Sequence, residues 1–126
     1  MNDELQDKLK ELKIEDSIWL IYIVIIFLSW YSNSLERKYF LYNDLKSKEK
    51  YRKIMIFIFS ILLIVYTYFL KDAKDGIDKL KITDSKKKKE LSYLSFVASF
   101  FIFISGIIFL YIAFVDNDID VELAFN

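Results

Sequence analysis

The chain contains no cysteine, no histidine and no proline, and it has only two glycines. Without cysteine no disulfide can form, and without cysteine and histidine the common zinc sites cannot be built. Histidine-based acid–base catalysis is excluded with them. An excess of charge of one sign is also missing: 18 basic residues balance 18 acidic ones. General nucleic-acid binding needs a basic face, so no nucleic-acid partner is predicted. There is no glycine-rich phosphate loop and no nucleophile beside a base. No enzyme and no cofactor are implied. Isolated loop carboxylates such as Glu36, Asp44, Asp72 and Asp75 show no pairing pattern beyond ordinary surface charge.

What is present is segregated. At 126 residues the chain is long enough for one domain, with 55% hydrophobic and 29% charged residues. A soluble domain interleaves those classes along its helices and strands. Here three runs lack any charged residue: residues 17–35, 54–70 and 91–115, of 19, 17 and 25 residues. A membrane span needs about 20, because each helical residue rises about 1.5 Å across a hydrocarbon core of about 30 Å. The second run is short but holds 12 Ile, Leu, Val and Phe residues, and Arg52, Lys53 and Lys71 can snorkel to its ends. The runs are continuously apolar, unlike the alternating strands of membrane β-barrels. The predicted fold is therefore an all-α integral membrane protein with three transmembrane helices, a single domain over residues 1–126.

Aromatic residues lie near the ends of these runs, where amphipathic rings favour the headgroup level: Trp19, Tyr22, Trp30 and Tyr31, then Tyr66 and Tyr68, then Tyr93 and Tyr111. The segment before the first run is acidic, with six acids against three lysines, and no small-residue cleavage site follows the run. It reads as an uncleaved signal-anchor. Leu5, Leu9 and Leu12 form a helical stripe in that segment, predicting a short N-terminal amphipathic helix that packs on a partner or caps the bundle. Asp16 and Ser17 are good N-cap residues for the first span. The first loop, residues 36–53, has neither Gly nor Pro and reads as continued helix. In the second loop, residues 71–90, Asp75-Gly76 signals a turn.

Lysines and arginines near span ends favour the cytoplasmic side. The N-terminus carries three and the second loop eight, against seven in the first loop and none in the tail. The predicted orientation in the cell membrane is N-terminus cytoplasmic and C-terminus outside. Lys86, Lys87, Lys88 and Lys89 precede the third span directly and read as a topology anchor in contact with lipid headgroups. Asp116, Asp118 and Asp120 copy the first ligands of a calcium loop, but Val121 replaces the required glycine and the chain ends before the twelfth position. No metal is predicted.

Ser92, Ser95, Ser99, Gly106 and Ala113 recur at heptad-like spacing along the third span, with Ala98 and Ser105 beside them. Small residues let helices approach and hydroxyls can bond across the contact, so this stripe is the predicted helix-packing face. No charged residue interrupts any span, whereas proton relays and coupled transporters usually need one. The expected role is a non-catalytic membrane component acting by lateral helix packing, with the lipid bilayer and either a homo-oligomer or another membrane protein as partner. The alternative is a homo-oligomeric pore or membrane-perturbing effector. Three spans in this length resembles the layout of three-span phage holins, though no motif carries the likeness. Those proteins imply a basic, internal C-terminus, and the tail here is acidic. A topology reporter fused at residue 126 is expected to read as external; a cytoplasmic signal contradicts the orientation.

Overall fold

The computed structural model describes residues 2–123. It is all-helical: α1 is Asp3–Tyr42, α2 is Leu45–Asp78 and α3 is Lys86–Val115. Of these, α2 and α3 are long and apolar enough to cross a membrane. The middle helix organises the fold. It packs against α1 on one side and α3 on the other, while α1 and α3 do not approach each other. Short connections make successive helices antiparallel.

α1 is one unbroken helix of 40 residues, which corrects the expected separate N-terminal helix. Nothing in residues 3–42 breaks it, since Gly and Pro are absent. Asn2 caps its start by accepting from the Glu4 N–H at 2.9 Å, with Asp3 and Glu4 complementing the helix dipole. Asp16 and Ser17 are interior, and the Ser17 hydroxyl donates back to the Lys13 carbonyl at 3.3 Å instead of capping a span. Continuity also fixes the register. The face turned toward α2 carries Ile18, Ile25, Ser29, Ser32 and Leu35, and one turn earlier it carries the part-buried Glu11 and Glu15. Leu5, Leu9 and Leu12 lie off that stripe and are exposed.

The turn into α2 takes two residues. Asn43 adopts the left-handed conformation, φ 52°, which Asn tolerates well. Asp44 then caps α2, accepting from the Lys46 N–H at 3.1 Å and the Ser47 hydroxyl at 2.9 Å. The helical reading of the first loop therefore holds on both sides of this corner. The Asp75-Gly76 turn does not form. The Asp75 carbonyl accepts the Lys79 N–H at 3.0 Å and keeps α2 helical through Asp78. Reversal comes later, where the Asp84 carboxylate accepts the Lys81 N–H at 2.7 Å and Ser85 caps α3 through the Lys88 N–H at 3.1 Å.

One stripe of α2 is fully covered: Tyr51, Met55, Ile58, Phe59, Leu62 and Val65. Against it α3 presents Gly106 and Ala113, its two buried residues, with Phe109 stacked on Phe59 at 5.4 Å between ring centroids. A methyl group placed on Gly106 would sit 3.0 Å from the Tyr66 ring, so glycine sets how closely the helices approach there.

The tail returns to the core. Asp116 caps α3 and its carboxylate accepts the N–H groups of Asp120 and Val121 at 3.0 and 2.9 Å. Ile119, at φ 57°, and Leu123 are thereby buried beside Tyr51 and Met55. Lys48 pairs with Asp118 at 3.0 Å, and Arg52 donates to the Phe114 carbonyl at 3.0 Å. Gly106→Leu is expected to destabilise the protein by about 1–3 kcal/mol through overpacking, read as a lower unfolding midpoint in detergent. An unchanged midpoint contradicts the close α2–α3 seam.

Candidate functional site

The heptad stripe of α3 divides into two halves with different surroundings. Gly106 and Ala113 are consumed by packing on α2. Ser92, Ser95 and Ser99 are not covered in the same way: Ser92 and Ser99 are half-buried and Ser95 is exposed. They line a groove between α2 and α3 that Tyr22 of α1 borders at its inner end. Its outer lobe, about 550 Å³, lies between Asp72, Gly76, Ser85, Lys87, Lys88 and Ser92. Its inner lobe, about 320 Å³, is walled by Tyr22 of α1, Tyr66 and Phe69 of α2, and Ser99 and Ile102 of α3. The two lobes meet at Asp72, Ala73 and Ser95.

The hydroxyls in this groove differ from most others on the helices, although the buried Ser29 hydroxyl of α1 also has no hydrogen-bond partner. Ser32, Ser60, Thr67 and Ser105 each donate to a carbonyl of their own helix, at 2.7, 2.7, 2.8 and 2.9 Å. Ser92, Ser95 and Ser99 form no such bond among the described residues. A hydroxyl that neither bonds its own backbone nor meets water is costly in an apolar surrounding, so these three are free to bind something placed in the groove.

The mouth carries both signs of charge on opposite walls. On one side Asp72 faces Glu11 and Glu15 of α1. Burial pushes the Asp72 carboxyl above its ordinary range, the two glutamates push it further, and Lys8 only partly opposes them. Lys8 is itself engaged with Glu11 at 3.7 Å. On the other side are Lys87 and Lys88, with Lys88 3.3 Å from Asp84. The run of residues 86–89 thus forms the first turn of α3, where cations oppose the helix dipole. The Asp84 carboxylate and the Ile82 carbonyl, which accepts from Lys89 at 3.2 Å, offset that cost.

The other carboxylates singled out by sequence are not gathered here. Asp44 is an N-cap, Asp75 is exposed and Glu36 lies near the far end of α1. Among the described residues no group of three or more His, Cys, Asp or Glu is arranged to hold a metal. Sequence reasoning missed the convergence of Tyr22, Glu11 and Glu15 on Asp72. The signal was available, because residues 11, 15, 18, 22, 25 and 29 follow one helical stripe from the acidic segment into the apolar run.

No protein-family model, no curated protein and no solved structure matches the chain.

Because the folded state raises the Asp72 pKa, it binds a proton more readily than the unfolded chain does. Stability is then highest below the ordinary carboxylate range and falls as pH rises through the folded pKa. Asp72→Asn is therefore expected to raise the unfolding midpoint at neutral pH and to change it little in strong acid. A lower midpoint at neutral pH contradicts this electrostatic picture.

Proposed function

We propose that the chain is a non-catalytic membrane protein of three spans that acts by lateral helix contacts, as a self-associating or accessory subunit of a membrane complex. α2 and α3 are apolar enough to cross. α1 lies antiparallel against α2 over Ile18 to Leu35, inside the charge-free residues 17–35, which supports a third crossing. The N-terminus and the α2–α3 connection carry the larger share of Lys and Arg and take the cytoplasmic side. The basic first loop, which works against that orientation, is partly neutralised by the tail through Lys48 and Asp118.

The observation that carries the reading is the free surface of α3. Only 11% of its most apolar 18-residue stretch is buried. On the face beside the Gly106 seam, Leu94, Ala98, Phe101, Ser105 and Ile108 repeat at alternating spacings of four and three, all exposed. Ala98 and Ser105 alternate there with bulky residues, a surface into which another helix can set its side chains.

The absence of native cysteine makes the test clean. Cysteines placed singly at Ala98 and Ser105 are expected to give oxidative crosslinks in native membranes, to a second copy or to another membrane protein. Cysteine at the buried Ala113 is expected to give none. Monomer alone at positions 98 and 105, or dye leakage from liposomes at low protein density, contradicts the accessory reading.

A further inference from the structure

We propose that the groove between α2 and α3, bordered by Tyr22 of α1, binds one phospholipid bearing a primary ammonium headgroup. The phosphate lies between Lys87 and Lys88, the ammonium on Asp72, and an acyl chain enters beside Tyr66 and Ile102. This inference rests on the membrane placement proposed above and not on the identity of any protein partner.

Four features converge on that ligand. First, the groove has two lobes of different chemistry, a charged outer one and an aromatic, hydroxyl-lined inner one, which is the layout of an amphiphile. Their volumes fall in the ordinary range of ligand sites. Second, the outer lobe is centred on Asp72, Gly76, Ser85, Lys87 and Lys88, outside the charge-free runs, and reaches Ser92 and Ser95 inside the third run, while the inner lobe is lined mostly from within the runs, by Tyr66, Phe69, Ser99 and Ile102. A ligand filling both must cross the membrane interface, as a bilayer lipid does.

Third, the mouth is bipolar. Lys87 and Lys88 stand on the α3 side and Asp72 on the α2 side, backed by Glu11 and Glu15. A purely anionic headgroup satisfies the lysines but meets an acidic wall. A zwitterion satisfies both walls, and charge-assisted hydrogen bonds to each are the strong ones. A quaternary ammonium has no N–H to donate to Asp72, and the aromatic rings that could cage it lie in the inner lobe, at chain depth. A primary ammonium fits the carboxylate. Fourth, Ser92, Ser95 and Ser99 have free hydroxyls along the path from mouth to inner lobe. They face the region where a glycerol and its ester carbonyls would lie, acceptors that those hydroxyls can serve.

Burial and the nearby Glu11, Glu15 and Asp75 all disfavour the charged Asp72 carboxylate, and Lys8 only partly opposes them. An ammonium beside Asp72 relieves that repulsion. Fold stability alone has no use for this arrangement, because neutralising Asp72 is expected to stabilise the empty protein.

The full-length protein is reconstituted with equal amounts of phosphatidylethanolamine, phosphatidylcholine and phosphatidylglycerol, extracted mildly, and its retained lipid read by native mass spectrometry. Wild type is expected to retain one phosphatidylethanolamine in preference to the other two. Asp72→Asn is expected to lower that retention about tenfold, the factor set by one charge-assisted hydrogen bond, while folding at least as well. The Lys87→Gln, Lys88→Gln double variant is expected to lose it similarly. Ser95→Trp, which fills the junction of the lobes, is expected to expel every lipid.

Four outcomes overturn the proposal: no headgroup preference in wild type, unchanged retention in Asp72→Asn, a preference for phosphatidylglycerol, or equal binding of soluble phosphoethanolamine. Crosslinking at Ala98 and Ser105 reads the subunit proposal independently, so either can fail alone.

Discussion

The close approach of α3 to α2 at Gly106 is the constraint on which the rest of the molecule depends. Gly106 has no side chain, and the Tyr66 ring occupies the space a methyl group would need. Around that contact Ala113, Phe109 and the covered stripe of α2 assemble one continuous core. The tail then fills the end of the same core with Ile119 and Leu123. In lipid, water exclusion does not drive helices together, so close packing of small residues has to do so. A glycine at that position lets the α3 backbone approach the Tyr66 ring closely.

The same constraint explains why the groove exists. α3 is held against α2 along Gly106 and Ala113, whereas at Ser95 and Ser92 the helices no longer bury the stripe between them. α1 cannot close the gap, because it packs on α2 from another side and does not reach α3. A single face of small residues therefore serves as a seam over one half and as the wall of an open cleft over the other. The charged ends sharpen the difference: acids from α1 and α2 stand on one wall of the mouth and lysines of α3 on the other.

Much of this was legible in the sequence, and the failures have physical causes. Charge-free runs located an apolar stretch in each of the three helices, and two of these helices, α2 and α3, are long and apolar enough to cross a membrane. Of the small-residue stripe on the third run, Gly106 and Ala113 are buried, while Ser92, Ser95 and Ser99 line the groove. Spacing alone does not distinguish those two surroundings, since both favour small side chains. The leucine stripe of residues 5–12 misled because periodicity was read locally. The orientation of that segment is imposed by the rest of α1, with which it forms one continuous helix, and that helix leaves Glu11 and Glu15 part-buried. Asp75-Gly76 misled because a turn signal competes with helix propagation, and here the Asp75 carbonyl already has its helical partner. The tail was opaque for a different reason. Its three alternate aspartates look like a metal loop, yet Asp116 holds a backbone turn and Asp118 holds Lys48, a pairing 70 residues apart.

The central claim is that one face of α3 is closed at one end and open at the other within the bilayer. Spin labels on single cysteines at Ser95, Ser99 and Ala113, in reconstituted membranes, test it through their accessibility to lipid-soluble and water-soluble paramagnetic probes. High accessibility at positions 95 and 99, with protection at 113, is the predicted pattern. Uniform protection along all three positions, or uniform exposure, contradicts it.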